Sequence, residues 1–501
     1  MKTMKHLLTL LFLQVIHLQI AISQIITIGT SGDFPNLEAA ENFITAGDTL
    51  LLQSQTFSDG TQFLENLNGT ELSPIVIIAQ SEHQSIFQGG TEAIHLINCS
   101  YVEINGVVVE QQTGNGINID DGGDYSTPSK HISIRNCIFR DMATNGNNDL
   151  LKMSGVDSFL IEQCHFLNGG DGGSGIDFVG CHWGKVQDCY FDDPGSSGIQ
   201  NKGGTQFIRM QRNIFKNVSQ RAINLGGSTG LQFFRPPLPN PILDAFEAAD
   251  LEVYSNVFIG SWAPIAYVGC VRVKVYNNTF YHPENWVIRI LQETTTPGFL
   301  TCSDNEFRNN IVNLSNDLTE VNIGPNTASE TFIFSNNLWF NSSNNNWSPV
   351  LPVTDVDQII DDPLFEDAIN ENFRIPPISP AVGAGLIFEE PTTDFDQVSF
   401  QQPPSIGAFE GSDQINQAYN VIQDDFIQVF PNPSSSKVKI DGNFANANIQ
   451  IINHLGQTIQ GYSNVNSPLI LDINSLPNGL YFILIESFLY DQLILKKIIK
   501  K

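Results

Sequence analysis

The chain has 501 residues, too many for one small domain and enough for a large core. Its 24 lysines and arginines face 53 aspartates and glutamates, and the resulting charge of −29 argues against nucleic-acid binding through a broad basic surface. Seven cysteines, an odd number without a Cys-x-x-Cys pair, argue against a compact disulfide framework and against a thiolate metal site.

Lys2 and Lys5 precede an apolar run over residues 7–22, and Ala21-Ile22-Ser23 forms a small-x-small cleavage site before Gln24. Residues 1–24 therefore read as a secretory leader; Gln14, His17 and Gln19 interrupt the run too often for an anchor. No later segment is long and apolar enough to span a bilayer.

Asp33 or Asn36 starts a short helix over residues 37–43, and Gly47-Asp48 turns the chain into a strand at 49–53. Strands follow at 75–79, 85–88, 94–97, 102–104 and 107–110. From residue 117 the pattern becomes regular. Ile176, Ile199 and Ile223 share one register, 23 and 24 residues apart. NCIF, QCHF, DCYF, RNIF, SNVF and NNTF, ending at Phe139, Phe166, Phe191, Phe215, Phe258 and Phe280, are equivalent turns, with weaker copies near 308–312 and 335–339. A period in the low twenties built of β-branched residues, Phe and Gly predicts an all-β chain: a right-handed parallel β-helix solenoid over residues 25–415. The short helix caps its open first coil. Cys137, Cys164 and Cys189 lie two residues before a Phe of the repeat and are expected as stacked core thiols. Turn asparagines are expected to pass amide hydrogen bonds along the axis.

Residues 229–250 make a coil about twenty residues too long, and long loops in a compact solenoid are often functional. Lys185, Lys202, Arg209, Arg212, Lys216, Arg221 and Arg235 fall within 51 residues with only Asp188, Asp192 and Asp193 among them, which predicts a local polyanion groove. Arg209 and Arg212 read as coil edges. From about residue 425, short strands with Pro, Asn and Gly turns predict a separate β-sandwich over 425–501.

Side chains alternate along a strand. With the Ile register inward, one outward row is Lys152, Asp177, Gln200, Asn224, Ala266 and Arg289, and the next is Ser154, Val179, Lys202, Gly226 and Val268. Parallel strands lie about 4.8 Å apart, so Lys152, Asp177, Gln200 and Lys202 form a polar strip that can follow several sugar units, with Asn201 and Asn224 as further contacts. On an acidic polysaccharide the fitting reaction is β-elimination: a base removes the proton α to the uronate carboxylate and a cation stabilises the enolate. Lys202 is the candidate base, and Arg221 and Arg235 the candidate neutralising cations. A hydrolase with paired carboxylates fits less well, because Asp192-Asp193 before Pro194 is the sole nearby pair. A non-catalytic glycan-binding or adhesin-like surface solenoid using the same strip is the alternative.

The opening phrase AGDTLLL (residues 46–52) resembles the start of secreted β-helix polysaccharide lyases, and residues 174–230 resemble the pectin lyase-like alginate lyase and chondroitinase B family. That resemblance implies a base at Lys202 in GIQNKGG and an acid at Arg221 in QRAINLGG. The family stacks these two residues, whereas Arg221 lies about five positions before the residue stacked on Lys202. The family's Ca²⁺-ligating glutamates fall at Gly195 and Ser197, so no ligand set is carried over and Ca²⁺ stays open as a cofactor. The tail resembles the type A sorting domain of the type IX secretion system of Bacteroidota through Pro431-Asn432-Pro433, His454-Leu455-Gly456, the run Leu476-Pro477-Asn478-Gly479-Leu480-Tyr481 and the basic end at Lys496, Lys497, Lys500 and Lys501. It implies export across the outer membrane by that machinery, then release or surface attachment.

Overall fold

The computed structural model describes residues 23–143, 146–344, 346–411, 427–442, 447–453, 458–486 and 493–501. The leader up to residue 22, the 415–425 boundary and His454-Leu455-Gly456 lie outside the described residues. The chain divides into two compact units, Met1–Ser412 and Asp413–Lys501.

The first unit is a right-handed parallel β-helix. Its strands form three parallel sheets of 15, 10 and 12 strands among the described residues. One coil runs from Leu151–Ser154 through Val156–Glu162 and His165–Leu167 and returns one layer on at Ser174–Val179. Right-handed crossovers are the sense that parallel connections favour. The apolar register is continuous: Leu151 pairs with Ile176, then Ile199, Ile223, Ile265 and Ile288. All are buried, because the inward half of each alternating strand faces one shared core. The short helix Leu37–Ala40 stands at the first coil, with the Asn36 side chain accepting from Ala39 N at 3.0 Å and Leu37 and Ala40 buried in the core.

The repeated Phe form one inward ladder. Ring centroids are 5.0 Å apart for Phe139–Phe166, 4.7 Å for Phe166–Phe191, 4.6 Å for Phe191–Phe215, 5.0 Å for Phe215–Phe258 and 4.7 Å for Phe258–Phe280, all nearly parallel. Beside it, the preceding turn residue takes positive φ in every coil (Asn136, Gln163, Asp188, Arg212, Ser255, Asn277, Asn309 and Asn336), and the residue after it points inward. That inward column is Cys137, Cys164 and Cys189, all buried free thiols, and then asparagines. Asn213 Nδ2 donates to Asn256 Oδ1 at 3.0 Å, Asn256 to Asn278 at 3.0 Å, Asn278 to Asn310 at 3.0 Å and Asn310 to Asn337 at 3.1 Å. Asp355 ends the run by accepting from Asn337 at 2.9 Å and from Trp339 Nε1 at 2.8 Å. The turns at 308–312 and 335–339 are thus full members of the repeat. Residues 373–409 then lie along the outside of the turns, with Phe373 and Ala408 against Val257 and with Ile375 and Ile406 against Ile311 and Leu338.

The second unit holds an antiparallel sheet of Gln428–Phe430, Lys437–Asp441 and Leu469–Asp472, and another of Ala447–Asn453, Thr458–Val465, Gly479–Glu486 and Leu493–Lys500. Both contribute to one core around Val438, Ile440, Ile449, Ile451, Leu471, Ile483, Ile485 and Ile498. Asn432 of the Pro-Asn-Pro motif donates to Lys497 O at 2.7 Å and accepts from Ile499 N at 2.9 Å, which ties the basic end to the other sheet.

Phe191 stacks on both sides, so Phe191→Ala should cost about 3–5 kcal/mol in urea unfolding, whereas Phe207→Ala, at a site 46% exposed, should stay within about 0.5 kcal/mol. Because each unit has its own core, a chain ending at Gly411 should keep the cooperative melt of the solenoid; loss of that melt in calorimetry would place part of the tail within the solenoid's fold.

Candidate functional site

The ten-stranded sheet carries the strip. Lys152 pairs with Asp177, Asp177 with Gln200, Gln200 with Asn224, Asn224 with Ala266 and Ala266 with Arg289, so the first outward row is continuous. Asp177 is fully buried between two lysines. Lys152 Nζ hydrogen-bonds Asp177 Oδ2, and Lys202 Nζ lies 3.1 Å from Oδ1 while donating to Gln200 Oε1 at 3.1 Å. Lys152 also reaches Asp149 Oδ2 at 3.5 Å, and Asp149 Oδ1 accepts from Ser174 N at 2.9 Å. Burial, then the nearby Asp177 carboxylate, push the Asp149 carboxyl above its usual range. For Lys152, burial works against the ammonium, but Asp177 and Asp149 outweigh it and the net shift is upward.

Across Gln200 and Asn224 lies Arg221. It donates to Asn224 Oδ1 at 3.2 Å and to Glu293 Oε1 at 3.1 Å. Side-chain exposure is 17% for Lys202 and 15% for Arg221. Lys202, Gln200, Asn224 and Arg221 therefore form one contact chain that spans two coils and leaves two cations at the surface.

The second outward row changes at one point. A bulge between Gln200 and Asn201 puts Asn201 opposite Gly226, so Lys202 does not stack on Gly226; an added Cβ on Gly227 would instead sit 3.3 Å from the Lys202 Cβ. Asn201 does not face the strip. It pairs with the inward Phe178, is fully buried and donates to Asn224 O at 3.2 Å. Arg235 is also elsewhere. Its guanidinium grips Asp157 with bonds of 2.6 and 2.8 Å, donates to Gly180 O at 3.1 Å and is buried. Burial opposes the Asp157 carboxylate, yet Arg235 and His182 bring it down to about 2. The close approach that Gly204 permits serves this segment, since a Cβ there would meet Arg235 O at 2.4 Å.

The expected polyanion groove is likewise taken apart by the winding of the coil. Arg212 pairs with Asp188, Lys216 with Glu371 and Arg209 with Glu252, each away from the strip. Two buried groups hold the 229–250 insertion: Arg235 at one end and Glu247 at the other. Glu247 accepts from Gly203 N at 3.1 Å and from Thr229 N at 3.0 Å, and also hydrogen-bonds Thr294. Asp149, Glu247 and Glu293 escaped sequence reasoning; only Asp149, three residues before Lys152, carried a usable signal. For Ca²⁺, the positions expected to supply ligands are a glycine and a serine, Gly195 and Ser197. Among the described residues no three His, Cys, Asp or Glu side chains come together as a metal site. The residues present do not fit the ion.

The family described as right handed beta helix region matches residues 75–234, and the one described as secretion system C-terminal sorting domain matches residues 428–501. None of the curated proteins matches the chain. Among solved structures the chain is similar to an alginate lyase from Paenibacillus sp. str. FPU-7, at 13% identity over 61% of this chain and 96% of that one, with a TM-score of 0.41. It is similar to pectate lyase Pel9A at 13% identity over 79% and 98%, with a TM-score of 0.45, and to a GH136 lacto-N-biosidase from Eubacterium ramulus at 14% over 68% and 67%, with a TM-score of 0.43. No helix among the described residues is long and apolar enough to cross a membrane. With its parallel coils and these two family matches, the chain is a right-handed parallel β-helix protein carrying a type IX secretion C-terminal sorting domain, exported to the cell surface or released from it.

Proposed function

We propose that the protein takes an acidic, uronate-containing polysaccharide along the strip of its ten-stranded sheet and cleaves it by β-elimination. The observation that carries this reading is the placement of Lys202 and Arg221 at the two ends of the Gln200–Asn224 pair, both partly exposed on a rigid sheet. Arg221 would neutralise the uronate carboxylate as the enolate forms. Lys202 Nζ would take the proton α to that carboxylate; the electron pair becomes the new C=C bond, the β C–O bond to the leaving sugar breaks, and water protonates the leaving oxygen. Lys202 must first lose its own proton to solvent, which its side chain, 17% exposed, can reach. Gln200 would orient the amine and Lys152 would keep the buried Asp177 partnered while Lys202 works.

The same ion pair favours a second reading. Asp177 and Gln200 hold the Lys202 head in place, and a fixed contact of this kind suits a protein that binds the polymer without cutting it. The same outward row runs back from Lys152 through Asn118 to His95, whose ring is held by Glu92 at 3.1 Å and Asp120 at 2.7 Å. Burial lowers the His95 pKa, but these two acids outweigh it and raise it to about 9.

Purified protein should bind alginate, pectate or a glycosaminoglycan in affinity electrophoresis and release unsaturated product detectable by absorbance. Lys202→Ala should cut product formation by about 10²–10⁴ while keeping binding. Binding without product selects the second reading, and neither binding nor product rejects both. His95 should stay charged through pH 8 in an NMR titration. Its raised folded pKa means its contribution to stability is complete below about 6.5 and is lost as pH rises towards about 9. Titration of the imidazole near 6.5 would contradict its pairing.

A further inference from the structure

Past Arg221, the next coil of the strip offers almost no side chain. Ala263 stands beside Arg221 and Ala266 beside Asn224. One coil further, Arg289 pairs with Ala266 and Trp286 precedes it. The alanines leave room for Arg221 and Arg289 to approach each other from either side. Arg289 lies with its guanidinium carbon 4.4 Å from the Trp286 ring centroid and donates to Asn322 Oδ1 at 3.3 Å. Burial, and then the neighbouring charge of Arg221, lower its pKa, while Glu293 acts in the opposite direction. Arg221 Nε is buried without a partner. Arg221 is paired with Glu293 at 3.1 Å, and Arg289, held instead by Asn322 and Trp286, feels the charge of that same carboxylate, which sits just past the strand Ile288–Leu291 and is 37% exposed. Trp262, 44% exposed, meets Trp286 edge-on at 6.0 Å and adds an apolar face beside the cations.

We propose that Arg221 and Arg289 form a carboxylate subsite for one uronate of the polymer, with Glu293 as a built-in competitor that occupies the position until a sugar carboxylate displaces it. The inference rests on the acidic-polysaccharide reading above and deepens it: the carboxylate that Arg221 neutralises is also reached by Arg289, from the far side of the alanine coil. Planar guanidinium groups suit a carboxylate, because each presents paired N–H donors to its two oxygens. Trp262 and Trp286 would take the apolar face of the same or the adjoining ring. The exchange involves no covalent bond making or breaking: the Glu293 carboxylate leaves Arg221 and a sugar carboxylate arrives between Arg221 and Arg289. A pair whose carboxylate end is 37% exposed is weak enough to be displaced.

The test uses full-length protein with trigalacturonate and trimannuronate as probes, read by tryptophan fluorescence at low salt, and cellohexaose as the neutral control. Glu293→Gln and Glu293→Ala should each tighten binding of the acidic trimers, by up to about 5-fold. Arg289→Ala should weaken it by roughly 10-fold or more, and binding of the neutral control should not respond to any of the three. Wild-type binding of acidic trimers that Glu293 and Arg289 substitutions leave unchanged overturns the subsite alone. Weaker binding in both Glu293 variants also overturns it, since a competitor cannot be a helper. Absence of binding by wild type and by both Glu293 variants overturns the subsite together with the proposed function. Binding that appears only in the Glu293 variants upholds the competitor.

Discussion

The stack of phenyl rings from Phe139 to Phe280 and the amide column beside it fix the register of each coil on the next. Every outward position depends on that register. A slip of one residue would exchange the faces of a whole strand and bury Lys152 or Lys202 in place of the isoleucines. The Phe ladder supplies apolar burial, which is strong but tolerates sliding. The Asn column supplies direction, because each amide must meet the oxygen of the next and a misplaced rung would leave buried polar atoms unpaired. Where the column changes to Cys137, Cys164 and Cys189, the thiols fill the same volume without demanding partners. The stricter specification begins at Asn213, within the coils that build the site.

Much of this was legible in the sequence because a solenoid repeats its instructions. The Ile register, the Phe spacing and the row from Lys152 to Arg289 follow from a period near 23 and an alternation of two. The failures share another cause. Proximity in sequence is not proximity in space when 23 residues encircle three sheets, so Arg209, Arg212 and Lys216 were neighbours of Lys202 only along the chain, and Arg235, whose backbone does lie against Gly203 and Gly204, turns its guanidinium to Asp157. Asn201 falls inward by the same alternation that sends Gln200 and Lys202 outward. The bulge that displaces Gly226 adds one residue to a ladder without altering the residue types around it. Arg235 and Glu247 act across 78 and 44 residues, on Asp157 and Gly203, and no local pattern announces such contacts.

The buried Asp177 makes physical sense only with both lysines in view. An isolated carboxylate in that position would carry a desolvation penalty of several kcal/mol. Two cations above it offset that penalty, and in return it pins their heads to the sheet. Long side chains that are already fixed lose less conformational entropy when a ligand arrives. A rigid cation on a rigid sheet is thus a better contact for a polymer than a free surface lysine of the same charge. The arrangement also tolerates a vacancy: if one lysine engages a substrate, the other still partners the carboxylate.

If a protein of charge −29 is to take a polyanion, as proposed, it must keep attraction local. At physiological ionic strength the screening length is about 8 Å, less than two coil spacings of the sheet. A uronate on the strip would therefore respond mainly to Lys152, Lys202, Arg221 and Arg289 and to their partners Asp149, Asp177 and Glu293, and hardly to the carboxylates on the other two sheets. Those distant acids still act on approach, before screening ends their reach, and disfavour random adhesion of an acidic polymer to the rest of the solenoid. On the proposed function, the acidic bulk and the cation-bearing strip would act together. The bulk would lower the affinity of wrong places, and the strip would raise that of one line along the axis, where the one-coil register has set the cations in order.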